Sequence, residues 1–226
     1  MAKTINIAID GPAGAGKSTI ARRLAKEMGY YYVDTGAIYR TVAYFLDLLG
    51  ISPKDADGVA RYLDELTVEI EYDEEGKQHM LMNGMDVTDD IRTPDISQKA
   101  SLVSAHAIVR DMLLDMQRDV AKKHNVIMDG RDIGTVVLPR ATVKIFLTAS
   151  AEVRAQRRTD EMLAKGQKAN FQQVLKDIQQ RDYQDTHREI APLKRAKDAV
   201  LLDTSELDID GVIAAMKDII TKKVTL

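Results

Sequence analysis

Apolar positions first gather in residues 4–9, a β-branched run of the kind that forms a buried parallel strand. Ile20, Ala21, Leu24, Ala25 and Met28 then recur at helical spacing, so a helix follows. Residues 30–33 read as a second short strand, and residues 37–49 as a helix closed by Gly50, a favoured residue just past a helix end. This βαβα opening predicts a parallel sheet with helices on its faces. Ser52-Pro53 breaks the chain, and residues 55–66 read as another helix.

The pattern then changes period. Val68-Glu69-Ile70-Glu71-Tyr72 alternates apolar with polar, as a strand with one solvated face does. A polar turn around Gly76 leads to a strand at 79–82, Asn83-Gly84 supplies the strongest hairpin dipeptide, and residues 85–87 complete a third strand. A small antiparallel insertion thus interrupts an α/β frame and is too small to fold alone. Residues 94–105 and 107–123 return to helical spacing. Residues 126–129 form an apolar strand that turns at Gly130-Arg131-Asp132-Ile133-Gly134. A strand at 143–147, helices at 151–165 and 171–188, a last strand at 199–202 and a last helix at 209–222 follow. Five buried strands result, with no internal repeat.

Composition narrows the class. The 226 residues, 45% of them hydrophobic, suit one domain with an insertion. A net charge of −3 and a pI near 5.9 argue against a general nucleic-acid or membrane-surface binder, although 32 basic residues can still converge on a small anion. Zero cysteines exclude disulfides and thiolate metal sites. His79, His106, His124 and His187 show no metal-ligand spacing. Lys3 is followed by a short strand and a glycine loop rather than a cleavable apolar leader, and no apolar run reaches membrane-span length. A cytoplasmic protein is expected.

The chemistry begins after the first strand. Gly11-Pro12-Ala13-Gly14-Ala15-Gly16-Lys17-Ser18-Thr19 matches G-x-x-x-x-G-K-[ST] in full. Glycines let the backbone wrap a polyphosphate and turn its N–H groups inward, Lys17 adds a point charge, and the Ser18 hydroxyl can ligate Mg²⁺. No guanine-reading N-K-x-D and no L-S-G-G-Q is present, which leaves a compact kinase with a second polar or anionic substrate. Thr35 and Gly36 offer backbone N–H groups at a helix start, and Arg40 can fork onto the same anion. Asp129-Gly130-Arg131-Asp132 follows a strand, where α/β sheets bind ligands. Arg181, Asp185 and Arg188 share one helix face, as an anion site or an intrahelical ion-pair ladder. Arg154, Arg157 and Arg158 also share a face, which taken alone reads as solvated surface.

The runs GPAGAGKST, DTGAIYR, DGRDIGTVV and Arg181-Asp182…Asp185…Arg188…Ala191-Pro192-Leu193 together resemble the bacterial cytidylate kinases. The similarity extends from about Ile5 to Ile219. It implies a P-loop NTPase fold of three α/β/α layers around a parallel five-stranded sheet. One domain, 1–226, would divide into a core (1–62 and 94–226), a nucleoside-monophosphate-binding insertion near 63–93 and an arginine-bearing lid near 157–168. The activity implied is phosphoryl transfer from ATP, with Mg²⁺, to CMP and dCMP, in pyrimidine nucleotide metabolism. A monomer that binds no nucleic acid or membrane is the default expectation. Residues 11–19 would hold ATP, with Ser18 standing where some members carry glycine. Ser101, Arg110 and Asp132 would read cytosine. Arg40, Arg131 and Arg188, with Arg181 nearby, would hold the CMP phosphate, Asp185 would meet the sugar hydroxyl, and Thr35, Gly36, Tyr39, Asp129 and Gly130 would complete the acceptor site. Lys17, Arg131, Arg188 and the lid residues Arg157 and Arg158 would carry catalysis. The alternatives are a kinase for another acceptor, such as UMP or shikimate, and an ATP-binding switch that transfers nothing.

Overall fold

A computed structural model describes residues 4–224, so Lys3 lies outside the described residues. In chain order the first half comprises β1 (Asn6–Asp10), α1 (Lys17–Met28), β2 (Tyr31–Asp34), α2 (Thr35–Leu48), α3 (Ala56–Tyr62), β3 (Val68–Tyr72), β4 (Gln78–Met82) and β5 (Met85–Asp86). The second half comprises α4 (Pro94–Val103), α5 (Ala107–Lys123), β6 (Val126–Gly130), β7 (Val143–Thr148), α6 (Ala151–Ala164), α7 (Phe171–His187), β8 (Val200–Asp203) and α8 (Ile209–Val224). Strands β2-β6-β1-β7-β8 form one parallel sheet, and β3-β4-β5 a separate antiparallel one.

Alternation along β1 explains the layers, because successive side chains of a strand leave opposite faces. Ile7 and Ile9 pack with Ile20, Leu24, Val212 and Met216 of α1 and α8. Ala8 faces the other way, toward Ile38, Val42, Ala100 and Leu113 of α2, α4 and α5. Met80 and Met82 of the insertion join this second cluster, so the antiparallel sheet packs on the main core. A small third cluster, Ala155, Val174 and Ile178, joins α6 to α7.

The elements match the periodicities with two local differences, and the last of the five strands read as buried, β8, is instead half-buried to exposed at the sheet edge. Residues 55–66 end in a tight turn, Leu63–Glu65, rather than continuing α3. After β6 the chain makes one wide turn, Ile133–Val137, with Leu138 N–H donating to the Ile133 carbonyl at 2.7 Å. Such i+5 turns collect at functional sites. It carries Arg131 and Asp132 on its approach.

Candidate active site

The loops after β1, β2 and β6 meet at the carboxyl end of the sheet, where the strand order reverses around β1. They border a cleft of about 1050 Å³, at the upper end of the range for one small-molecule site and suited to a donor and an acceptor together. Residues Ala13–Thr19 form one wall; Arg40, Arg131 and Arg181 stand in the same cleft, with Ser101 on α4 and Arg158 on α6.

Glycine is required in the phosphate loop for two different reasons. Gly14 and Gly16 have φ of +74° and +81°, where an L side chain is strained. At Gly11 a Cβ would sit 2.0 Å from the Leu147 carbonyl oxygen, so the loop passes too close to β7 for any other residue. Helix α1 begins at Gly16 with no side chain capping its first N–H groups. Those open donors and the helix dipole make an anion site. Lys17 is buried, and its ammonium donates to the Pro12 carbonyl at 2.7 Å. Burial, with the Arg131 charge nearby, pulls its pKa well below the usual lysine range, so an arriving polyphosphate would find a cation short of counter-charge.

Asp129 ties the loop to the acceptor side. Its carboxylate accepts from Ser18 Oγ and from the Tyr32 hydroxyl, both at 2.9 Å, and its carbonyl accepts from Thr35 Oγ1 at 2.7 Å. Burial, with Asp34 close by, raises its pKa. Asp34 caps α2 by accepting from Ala37 N–H at 2.8 Å, and its second oxygen pairs with Arg40 Nη2 at 3.0 Å. Gly36 leaves room for that pair, since a Cβ there would lie 3.0 Å from Arg40 Nη1. On α7, Asp185 pairs with Arg131 Nε at 2.7 Å. Burial works against the Asp185 charge, but Arg131, Arg181 and Arg188 outweigh it and keep the carboxyl below its ordinary range. Arg181, pressed by burial and by Arg131, falls to about 10.

A second cluster lies beside Ser101. Arg110 and Arg188 both pair with Asp132, and Arg110 lies over the Tyr39 ring at 5.6 Å from its centroid. Arg188 Nη1 donates to Ser104 Oγ at 3.2 Å, and that hydroxyl donates to the Ser101 carbonyl at 2.8 Å. The buried atoms Arg40 Nε, Arg181 Nε and Arg188 Nη2 have no hydrogen-bond partner among the described residues. Arg40 and Arg181 line the cleft, so their open guanidinium nitrogens are available to an anion there.

Two of the three arginines on α6 depart from the sequence reading. Arg154 is not solvated surface: it is buried and donates to the Ala149 carbonyl at 2.9 Å, the Ala13 carbonyl at 2.8 Å and Asp182 at 2.6 Å, fixing the phosphate loop to α6 and α7. Arg157, one of the two lid arginines expected to act in catalysis, donates instead to the carbonyls of Thr204 and Leu207, at 2.6 and 3.2 Å. Arg158 alone of the three enters the cleft, paired with Glu161 at 2.8 Å. Arg188 sits with Asp132 and Arg110. Asp10 received no role from the sequence. It ends β1 buried, accepting from the N–H groups of Ile133 and Gly134, both at 2.7 Å. Its only sequence signal is a carboxylate closing an apolar strand.

A donor loop facing a second anion site across one cleft is the arrangement of a P-loop kinase, in which positioning and charge neutralisation do most of the work. The family model described as cytidylate kinase matches residues 7–222. The cytidylate kinase of Carboxydothermus hydrogenoformans is 50% identical over 219 residues, covering 97% of this chain and 98% of that one. That of Exiguobacterium sp. is 48% identical over 220 residues, with 97% and 98% covered, and that of Ligilactobacillus salivarius 48% identical over 223 residues, with 99% of each covered. The chain belongs to the cytidylate kinase family.

Proposed function

We propose that this kinase transfers the γ-phosphoryl of ATP to CMP and dCMP, giving ADP and the corresponding diphosphate. The observation that carries the reading is the pair of open guanidinium nitrogens on Arg40 and Arg181, which line the same cleft as the phosphate loop. An ATP switch has no need of that second anion site. Arg40, Arg131 and Arg181 hold the acceptor phosphate, and Asp185, with one oxygen on Arg131, meets the sugar hydroxyl.

Cytosine carries an amine where uracil carries a carbonyl. Asp132, paired with Arg110 and Arg188, accepts from the amine and repels the carbonyl, and Arg110 donates to the ring acceptors. An unpaired buried polar group costs about 1–3 kcal/mol, so each contact is worth roughly 5- to 150-fold in selectivity. No general base is needed, because the attacking phosphate oxygen is already anionic. Lys17 and Arg131 neutralise charge as the phosphoryl moves, and Arg158, on the lid side of the cleft, excludes water from it.

Ser18 Oγ and the Asp129 carboxylate are hard oxygen donors side by side at the loop, the set that suits Mg²⁺. Bound there with ATP, the ion would neutralise phosphate charge. The test is stoichiometry: ADP forms only when CMP or dCMP is present, with one diphosphate per ADP. Acceptor-independent ADP release with no diphosphate product would overturn the reading in favour of an ATP-driven switch.

A further inference from the structure

The parallel sheet ends at β2, an edge strand whose outward N–H and C=O groups need partners. The antiparallel insertion supplies them with side chains. The Tyr72 hydroxyl donates to the Tyr32 carbonyl at 3.1 Å. Two residues further along the same edge, Gln78 Oε1 accepts from Asp34 N–H at 2.7 Å, and Gln78 Nε2 donates to the Asp34 carbonyl at 3.4 Å. One amide therefore holds both outward groups of Asp34, as a neighbouring strand would. Gln78 is buried and opens β4, the central strand of the insertion.

The residue it grips is the one that aims Arg40. The Asp34 carboxylate caps α2 through Ala37 N–H and pairs with Arg40 Nη2, while Arg40 Nε stays open in the cleft. We propose that Gln78 is a positioning residue: through the main chain of Asp34 it makes the insertion a support for Arg40 and so for the acceptor phosphate. This rests on the reading above that Arg40 holds that phosphate. Losing the grip frees the Asp34 peptide, the carboxylate drifts, and the guanidinium no longer meets the acceptor in the right place. The donor loop contains none of these contacts.

The test is a double-mutant cycle on acceptor kinetics with Gln78→Met, which keeps side-chain length and removes both hydrogen bonds, and Arg40→Ala. Gln78→Met should raise KM for CMP and dCMP alike by about tenfold, the factor that corresponds to about 1.4 kcal/mol, with KM for ATP within about twofold. In the Arg40→Ala background the same substitution should change KM for CMP by less than about twofold. Equal rises for CMP and ATP, or full additivity in the cycle, would overturn the positioning role while leaving the activity intact. If Arg40→Ala itself leaves KM for CMP unchanged, the assignment of Arg40 to the phosphate fails and the inference with it. Should Gln78→Met fold poorly, Gln78→Glu reports the same quantity. Its carboxylate still accepts from Asp34 N–H but cannot donate to the carbonyl, so it should raise KM for CMP too, and an unchanged KM would contradict the proposal.

Discussion

Single residues in this protein carry costs that only the site explains. Arg181 is the clearest case. Burial and a neighbouring guanidinium disfavour its charge, bringing its pKa to about 10, and its Nε has no partner among the described residues. Each pKa unit is worth about 1.4 kcal/mol, so Arg181 is held at an expense of a few kcal/mol that an anion would relieve. Arg181→Met is expected to leave the melting temperature unchanged or raise it, while KM for CMP rises tenfold or more. Thermal unfolding and steady-state kinetics on one preparation decide it, and a loss of stability without a change in KM would count against the role.

Asp10 gives a pH signature at the same scale. Burial lifts its carboxyl to about 6 even though two backbone N–H groups oppose the shift. The folded state then binds the proton more tightly than the unfolded chain, whose value is near 3.8, so this group adds stability as pH falls from 6 toward 4. Relative to Asp10→Asn, the wild type should gain roughly 2 kcal/mol across that window. Urea unfolding of both proteins at a series of pH values measures the gap, and a constant gap would show that Asp10 does not titrate there.

At the scale of elements, most of the frame could be read before any coordinates, because each signal was local. The apolar run before Gly11, the two-residue period from Val68 and the Asn83-Gly84 turn each needed only neighbouring residues to be interpreted. What could not be read was direction across elements. Helical spacing places Arg154, Arg157 and Arg158 near one face but is silent on what that face meets. Arg157 is claimed by Thr204 and Leu207, at separations of 47 and 50 residues, and Arg154 by Ala13, 141 residues away. Asp132 and Arg188 likewise come together only when α7 docks beside the turn after β6.

The role of Arg154 makes a prediction at this scale. It links α6, α7 and the phosphate loop through one guanidinium, and removing one partner of a buried pair costs about 3–5 kcal/mol. Arg154→Ala should destabilise the fold by about 3 kcal/mol and raise KM for ATP more than KM for CMP, because Ala13 loses its tether. Arg157→Ala should leave KM for both substrates within about twofold. A large effect of Arg157→Ala on turnover would restore it to the site.

Across the whole molecule, an acidic chain folds so that a group of its basic residues lines one cleft. The net charge of −3 gives no hint of this, since the paired carboxylates Asp34, Asp132 and Asp185 offset the arginines that face the ligands. The phosphate loop identifies a donor and nothing more. The proposed destination of the phosphoryl group rests on Arg40, Arg131 and Arg181 in the same cleft and on the Asp132 cluster beside Ser101. The most direct measurement is kcat/KM for ATP-dependent phosphorylation of CMP, dCMP, UMP, AMP and shikimate under one set of conditions. CMP and dCMP should exceed every other acceptor by about tenfold or more, the worth of a single mispaired buried contact. A higher value for any acceptor without cytosine would contradict the assignment.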